Sequence, residues 1–218
     1  MDDTKPGWAL IIAGGNPVKP ELAARLGKPA WVVAADSGLD QAYRLGISPD
    51  LVIGDMDSVT PTSLARAEAN GVAIERHPVD KDATDLELAI DAATRAGFQH
   101  ATIIGGTGGR IAHTLANALL LLEGRTITLD WKTSRATLTG LLSGQTGTFA
   151  RDDGPLLSVL AIGGPAGCRS TGLRWALDDN ALDAGSTRGI SNEIVAPRAT
   201  VSVATGQVLT IHERTPAT

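Results

Sequence analysis

Residues 49–58 read Pro-Asp-Leu-Val-Ile-Gly-Asp-Met-Asp-Ser: a short apolar run, Leu51 to Ile53, breaks at Gly54 and gives way to two carboxylates, Asp55 and Asp57. The run has the make-up of a buried strand, and strand side chains alternate faces with period two. If the extended backbone persists past Gly54, Asp55 and Asp57 point the same way. Two neighbouring carboxylates repel unless a positive charge sits between them. Hard oxygen ligands at a strand end suit Mg2+, which takes one or two carboxylates and completes its shell with water and phosphate oxygens. A plain turn explains the same residues, because Gly and Asp are common in turns, so the flanking segments have to decide.

Working outward, Trp8 to Ala13 is a near-continuous apolar run ending in Gly14-Gly15-Asn16, and Ala30 to Ala35 is another, ending in Asp36-Ser37-Gly38. Both read as buried strands. Val72 to Glu75 and Ala101 to Ile104 extend the series to a fourth and fifth. Helical spacing fills the intervals: Pro20 to Leu26, Leu39 to Leu45, Pro61 to Ala69, a helix capped by Asp82 or Thr84 and ended by Gly97, and Ile111 to Leu122. This alternation predicts an α/β fold, with an N-terminal doubly wound, mainly parallel, Rossmann-like sheet over residues 1–133. Beyond Glu123 the segments turn short and β-like: Thr126 to Trp131, Ala136 to Leu142, Gly147 to Ala150, Leu156 to Ile162, Ala199 to Val203 and Val208 to His212. They predict a smaller all-β sandwich or barrel over residues 134–218.

At 218 residues the chain has room for one large domain or two small ones. A net charge of -5 leaves no basic surplus for binding a phosphate backbone, so nucleic acid is not an expected partner. Cys168 is the only cysteine, which excludes an intramolecular disulfide and argues against a cysteine-based zinc site. Met1 to Pro6 carries no basic stretch followed by an apolar one, and no apolar run approaches the roughly 18 residues of a membrane span. The expectation is a cytoplasmic protein with no membrane partner.

Ligands of open parallel sheets bind beyond the carboxyl ends of the strands, and every polar cluster falls there. Asp36 follows the second strand, Asp55 and Asp57 the third, Asp80-Lys81-Asp82-Ala83-Thr84-Asp85 the fourth, and Gly105-Gly106-Thr107-Gly108-Gly109-Arg110 the fifth. Asp82 and Asp85 would share one face of a first helical turn, either as ligands or as acidic residues that suit a helix N-terminus. Glycine amides at a helix start form an anion site, to which Arg110 adds charge, although neither a P-loop nor a dinucleotide pattern is present. Lys81 and His113 read as phosphate ligands, or as a solvated charge and a structural histidine. Together the carboxylates, the lysine and the glycine-arginine loop favour metal-assisted phosphoryl or pyrophosphoryl transfer. His77, His100 and His212 lack zinc spacing, there is no Gly-x-Ser-x-Gly elbow, and Cys168 reads as a buried filler.

The blocks Ala35-Asp36-Ser37-Gly38, Leu45 to Ser58, Asp80 to Ala89, Gly108 to His113, Leu115-Ala116-Asn117 and Gly185 to Glu193 run in order through nearly the whole chain, which resembles the thiamine pyrophosphokinase (thiamine diphosphokinase) family. The resemblance implies transfer of a pyrophosphoryl group from ATP to the hydroxyethyl oxygen of thiamine, with Mg2+, giving thiamine diphosphate and AMP. It also implies a homodimer with active sites between subunits, the β-rich domain serving thiamine binding and dimerisation. Asp36, Asp55, Asp57, Asp82 and Asp85 become catalytic candidates, the last four of them metal ligands. Ser37, Gly38, Ser58, Lys81, Gly106, Thr107, Gly109, Arg110 and His113 become ATP contacts, and Ser186, Thr187, Ser191 and Asn192 thiamine contacts. Trp175 is a weak aromatic candidate, for which a core or interface residue is the better reading. The chain departs from the family in two places: Ala112 stands where the Gly-Gly-Arg-x-Asp-His pattern has aspartate, and Ser37 stands where glycine is common. Loss of that carboxylate keeps open a thiamine- or nucleotide-binding sensor without turnover, and a pyrophosphokinase for another alcohol, such as a pterin, shares the scaffold.

Overall fold

The computed structural model describes residues 7–214; Met1 to Pro6, expected above to carry no leader, lie outside the described residues. The chain divides into two units. The first runs to Leu120 and includes Thr126–Thr133, and the second joins Leu121–Arg125 to the chain from Ser134 onward.

In the first unit, strands and helices alternate in chain order as β1 (Ala9–Ala13), α1 (Pro20–Ala24), β2 (Trp31–Ala35), α2 (Gly38–Arg44), β3 (Leu51–Gly54), α3 (Pro61–Ala69), β4 (Ala73–Arg76), α4 (Asp85–Arg95), β5 (His100–Ile104), α5 (Ile111–Leu119) and β6 (Thr128–Lys132). The strands pair in parallel in the order β6-β5-β1-β2-β3-β4. A parallel sheet of this kind is covered on both faces, which explains why its inner strands read as unbroken apolar runs. Residues Ala9 to Ala13 are all buried, with Ile11 and Ile12 fully so. One core cluster gathers Leu10, Ile12, Leu22, Val32, Ala42 and Ile104; another gathers Ala34, Leu39, Val52, Met56, Val59 and Ala67. The outer strand β4 is half-exposed and ends in Glu75 and Arg76, charges that discourage pairing with another chain.

Local chemistry fixes the helix starts. Pro20 and Pro61 occupy first-turn positions, where a missing N–H costs nothing. The Thr60 hydroxyl accepts from Ser63 N at 3.3 Å and the Thr84 hydroxyl from Glu87 N at 3.2 Å, so Thr84, not Asp82, caps α4. Helix α5 stops at Leu119, short of the expected Leu122, and its last turn tightens into a 3-10 helix over Leu120–Leu122. Among the described residues no helix is long and apolar enough to cross a membrane.

The second unit is antiparallel. Its strands are β7 (Ala136–Leu142), β8 (Thr146–Ala150), β9 (Leu156–Ala161), β10 (Ala166–Thr171), β11 (Asp178–Leu182), β12 (Asn192–Glu193), β13 (Arg198–Thr205) and β14 (Gln207–Glu213). They pair in two sets, β12-β9-β14-β7 and β11-β10-β13-β8. One core draws on both, with Leu157, Val159 and Val208 from the first set and Ala166, Cys168, Ala199 and Val201 from the second. Cys168 is fully buried as a small filler, and burial pushes its thiol pKa up. Strands β10, β11 and β12 have no counterpart in the expected set. The inward positions of β10 are Ala166, Cys168 and Ser170, too small to stand out as an apolar alternation, and β12 is two residues long.

Candidate active site

Because β5, β1, β2, β3 and β4 are neighbours in one parallel sheet, the loops leaving their C-terminal ends adjoin in the same order. The loop after β3 differs from the extended path expected. Gly54 has φ 144°, Met56 has φ 67°, and Asp57 N donates to Asp55 Oδ1 at 3.1 Å. The two carboxylates converge through a turn closed by Asp55 itself, and not by strand alternation. A bulky residue in the left-handed region costs on the order of 1–3 kcal/mol and persists only where its surroundings hold it. Here the Met56 side chain is buried in the core cluster with Leu39 and Val52. Asp36 is also left-handed, at φ 47°, with its amide bonded to Ile53 O at 2.9 Å.

These turns bring one oxygen each from Asp36, Asp55 and Asp57 within 4.8 Å of one another. Asp36 is 7% exposed, and its Oδ1 is buried with no hydrogen-bond partner among the described residues. Ser58 Oγ donates to Asp57 Oδ1 at 2.8 Å and so orients that carboxylate. Asp85, the first residue of α4, lies against the group: a Cβ built on Gly54 would sit 2.9 Å from Asp85 Oδ1 and 3.1 Å from Asp36 Cβ. Lys81 supplies the local cation, its Nζ 2.8 Å from Asp55 Oδ2 and 3.2 Å from Asp85 Oδ1, with a further bond to Pro78 O at 3.2 Å. The contact to Asp85 Oδ1 is an ion pair without hydrogen-bond geometry, so that buried oxygen too has no hydrogen-bond partner among the described residues.

The charges answer to these contacts. The Lys81 hydrogen bond, helped by the Asp57 amide, holds the Asp55 carboxyl below its ordinary pKa. Burial pushes Asp85 up; Lys81 pulls it back, while the Asp55 and Asp36 charges push the same way as burial. For Lys81 burial works downward but is outweighed by the hydrogen bond to Asp55 and the close Asp85 carboxylate, and its pKa rises.

Hard oxygens, an orphaned buried carboxylate atom and a surplus of negative charge fit a divalent cation held by Asp36, Asp55 and Asp57. Asp82 is exposed and outside the group. The expectation that it shares a helical face with Asp85 required α4 to begin at Asp82, whereas the helix begins at Asp85 and Asp82 precedes its cap.

The loop after β5 takes left-handed backbone at Gly105, Gly106, Gly108 and Gly109, conformations in which other residues are strained. Its carbonyls are secured from behind: Trp131 Nε1 donates to Gly105 O at 2.8 Å and Asn117 Nδ2 to Gly106 O at 3.0 Å. Arg110 stands at the N-cap of α5, exposed, and its guanidinium touches His113 Nε2. Gly109 and Ala112 are exposed beside it. The loop after β2 joins the same edge. Gly38 is buried, and a Cβ there would strike Ile12 O at 1.9 Å, while a Cβ on Gly14 would lie 2.2 Å from Ser37 Oγ. A cavity of about 580 Å3 opens here, lined by Gly15, Ser37, Asp40, Tyr43, Arg44 and Thr60 among others. Trp131 was not among the expected site residues; nothing in the sequence ties a buried indole to the loop it supports.

In the second unit, Asn192 is 2% exposed and its amide is spent on Trp175, donating to Trp175 O at 2.6 Å and accepting from Trp175 N at 3.1 Å. The Trp175 side chain itself is 55% exposed, with the Arg174 guanidinium 5.7 Å from the ring centroid. Ser191 is left-handed at φ 53° and its N–H donates to the buried Ser158 Oγ at 3.0 Å. Ser186 Oγ accepts from Arg188 N at 3.2 Å, and Thr187 O accepts from Ile190 N at 3.1 Å. The block is therefore a tightly turned loop that presents Trp175.

Residues 23–129 match the family model of the thiamin pyrophosphokinase catalytic domain, and residues 148–208 that of the thiamin pyrophosphokinase vitamin B1 binding domain. The thiamine pyrophosphokinase of Bacillus subtilis is 29% identical over 205 residues, covering 92% of this chain and 96% of the relative. The crystal structure of thiamine pyrophosphokinase from Bacillus subtilis superposes with a TM-score of 0.83 at 25% identity, over 95% of this chain and 99% of that one. That of thiamin pyrophosphokinase from Geobacillus thermodenitrificans gives 0.83 at 25% identity, over 96% and 99%. The chain belongs to the thiamine pyrophosphokinase family.

Proposed function

We propose that this chain is an ATP-dependent pyrophosphokinase that converts thiamine to thiamine diphosphate and releases AMP. The reading rests above all on the group of Asp36, Asp55 and Asp57, which shares one sheet edge with the glycine loop. In it, the first unit is a doubly wound nucleotide-binding domain. The second binds thiamine, and two copies form a cytoplasmic homodimer with active sites between subunits. ATP and thiamine are the substrates; neither nucleic acid nor membrane takes part.

Asp36, Asp55 and Asp57 would hold Mg2+, with Asp85 at its side. When bound, the metal neutralises charge on the phosphate oxygens and aligns them. Around it the residues of the chain do the positioning. The amides of Thr107 and Gly109 and the guanidinium of Arg110 take phosphate oxygens at the start of α5, Gly106 shapes the loop with its own amide closed on Gly14 O, and His113 donates from the next turn. Ser37, Gly38 and Ser58 border the nucleotide. Lys81 balances the carboxylates and turns toward the phosphates as they arrive. Trp175 offers its ring face to the cationic thiamine, an arrangement that favours a positively charged ring over a neutral one, and Asn192 fixes its backbone. Ser186, Thr187 and Ser191 line the same pocket.

The thiamine hydroxyl oxygen then attacks the β-phosphorus of ATP, the bond from that phosphorus to the α–β bridging oxygen breaks, and AMP departs. Asp85 receives the hydroxyl proton. Burial raises its pKa, which makes it a better acceptor than an ordinary carboxylate near 3.8. Replacing Asp57 with Asn removes one charge of the group at an exposed position, and turnover should be lost while circular dichroism and melting stay as in the parent. Near-normal AMP formation by that variant would defeat the assignment.

A further inference from the structure

The loop leaving β1, Gly14-Gly15-Asn16, meets the glycine loop backbone to backbone: Asn16 N donates to Thr107 O at 2.6 Å and Gly106 N to Gly14 O at 2.7 Å. The fit leaves no room for side chains. A Cβ on Gly15 would come 2.3 Å from Thr107 O, one on Gly105 would come 2.1 Å from Ala13 O, and one on Gly108 would come 2.3 Å from the Asn16 side chain. The glycine loop thus takes its position partly from residues 14–16.

What holds residues 14–16 is one side chain of α2. Gln41 is 2% exposed, and its amide is spent on this loop: Nε2 donates to Ala13 O at 3.0 Å and to Asn16 O at 3.2 Å, while Oε1 accepts from Val18 N at 2.8 Å. A hydrocarbon of the same length would fill the volume equally well. A buried amide is tolerated only because all its partners are met, and such a fully satisfied polar contact fixes one arrangement where apolar packing would accept several.

We propose that Gln41 is a positioning residue for the nucleotide: it fixes the loop 14–16, which in turn sets the height of Gly105 to Gly109 against the phosphates. This rests on the reading that the glycine loop receives ATP phosphates. The chain of contact runs from α2 through Ala13, Asn16 and Val18 to Thr107, all residues of the first unit. Loosening Gln41 must therefore weaken ATP use and leave thiamine recognition alone.

The test is steady-state kinetics on the full-length protein, as Gln41→Met and, separately, Gly15→Ala. The second variant lies in an exposed loop, leaves the α2 core untouched and pushes on Thr107 from the other side. Displacements of the order of an ångström at a reacting group cost up to about a hundred-fold, so a second-layer shift should raise KM for ATP about ten-fold in both variants. KM for thiamine should stay within about two-fold, well below that threshold. Amide exchange at Asn16 and Gly106 should accelerate in Gln41→Met, a readout that needs no turnover. An unchanged KM for ATP in Gly15→Ala, or KM values for both substrates rising together, overturns the proposal, as does unchanged exchange in a folded Gln41→Met. If the parent protein makes no AMP, the functional reading fails on that ground, while the exchange measurement still decides whether Gln41 governs the glycine loop.

Discussion

Lys81→Met isolates what the cation beside the acidic group contributes. Its Nζ lies 2.8 Å from Asp55 and 3.2 Å from Asp85, and the three side chains are only 14%, 11% and 27% exposed. Breaking a fully buried pair by removing one partner costs about 3–5 kcal/mol, because the remaining charge is left uncompensated. Residual solvent at Asp85 discounts this to about 2–3 kcal/mol. For a chain of this size each kcal/mol moves the melting temperature by about 2–4 °C, so the metal-free variant should melt about 5–10 °C below the parent. Scanning calorimetry in chelator, then in Mg2+, is the assay. With Lys81 gone, Asp36, Asp55, Asp57 and Asp85 have lost their resident counter-charge, so the metal should bind more tightly and raise the melting temperature further than in the parent. At a hundred times its dissociation constant a metal adds about 2.7 kcal/mol, enough to recover the loss. A variant that melts with the parent in chelator, or that responds to Mg2+ no more than the parent does, would refute the reasoning.

Asp36→Asn removes a buried charge whose Oδ1 lacks a partner; it should stabilise the metal-free protein by about 1 kcal/mol while weakening Mn2+ binding, read by melting and by titration. Asp40 accepts from Thr60 Oγ1 and Ser63 Oγ, each at 2.5 Å, and from Thr60 N at 3.1 Å; burial works against these bonds but loses to them, so its folded pKa lies below 3.8. The unfolded state therefore binds the proton first, and this contribution is present above the ordinary value of 3.8 and lost as pH falls through the lowered folded value. Asp40→Asn should flatten that part of the stability profile, and an unchanged slope would count against it. Asn192→Ala leaves Trp175 N and O without their side-chain partner, so it should cost about 1–3 kcal/mol and raise KM for thiamine. Trp175→Ala, at a largely exposed ring, should raise KM for thiamine with little loss of stability, and a raised KM in Trp175→Ala beside an unchanged one in Asn192→Ala would dissociate Asn192 from the ring it holds.

The four inner strands β5, β1, β2 and β3 were legible because burial on both faces leaves little room for polar residues, as at Ala9–Ala13 and Leu51–Ile53. That the acidic residues and the glycine loop lie along one edge was legible for another reason: parallel strands put their carboxyl ends together. How Asp55 and Asp57 meet was not, since a left-handed methionine is a property of the packing around Met56 and leaves no local mark. That Asp82 and Asp85 do not share a helical face was not legible, since it turned on the first residue of α4, which the Thr84 cap decides. In the second unit, β10 hides its period in small inward residues, and β12 is too short to carry one. Ser191 and Asn192 drew notice through the family resemblance. Only the structure shows the Asn192 amide closed on the Trp175 backbone, and only the structure reveals Gln41, an ordinary polar residue in a helix by sequence.

The central claim is that the carboxylate group and the glycine loop together move a pyrophosphoryl unit. Phosphorus NMR on the purified protein with ATP, Mg2+ and thiamine tests it most directly. The account predicts AMP and thiamine diphosphate appearing in equal amounts, with both absent in chelator. Release of ADP or free phosphate instead, AMP formed only with another alcohol, or tight thiamine binding without turnover would contradict it.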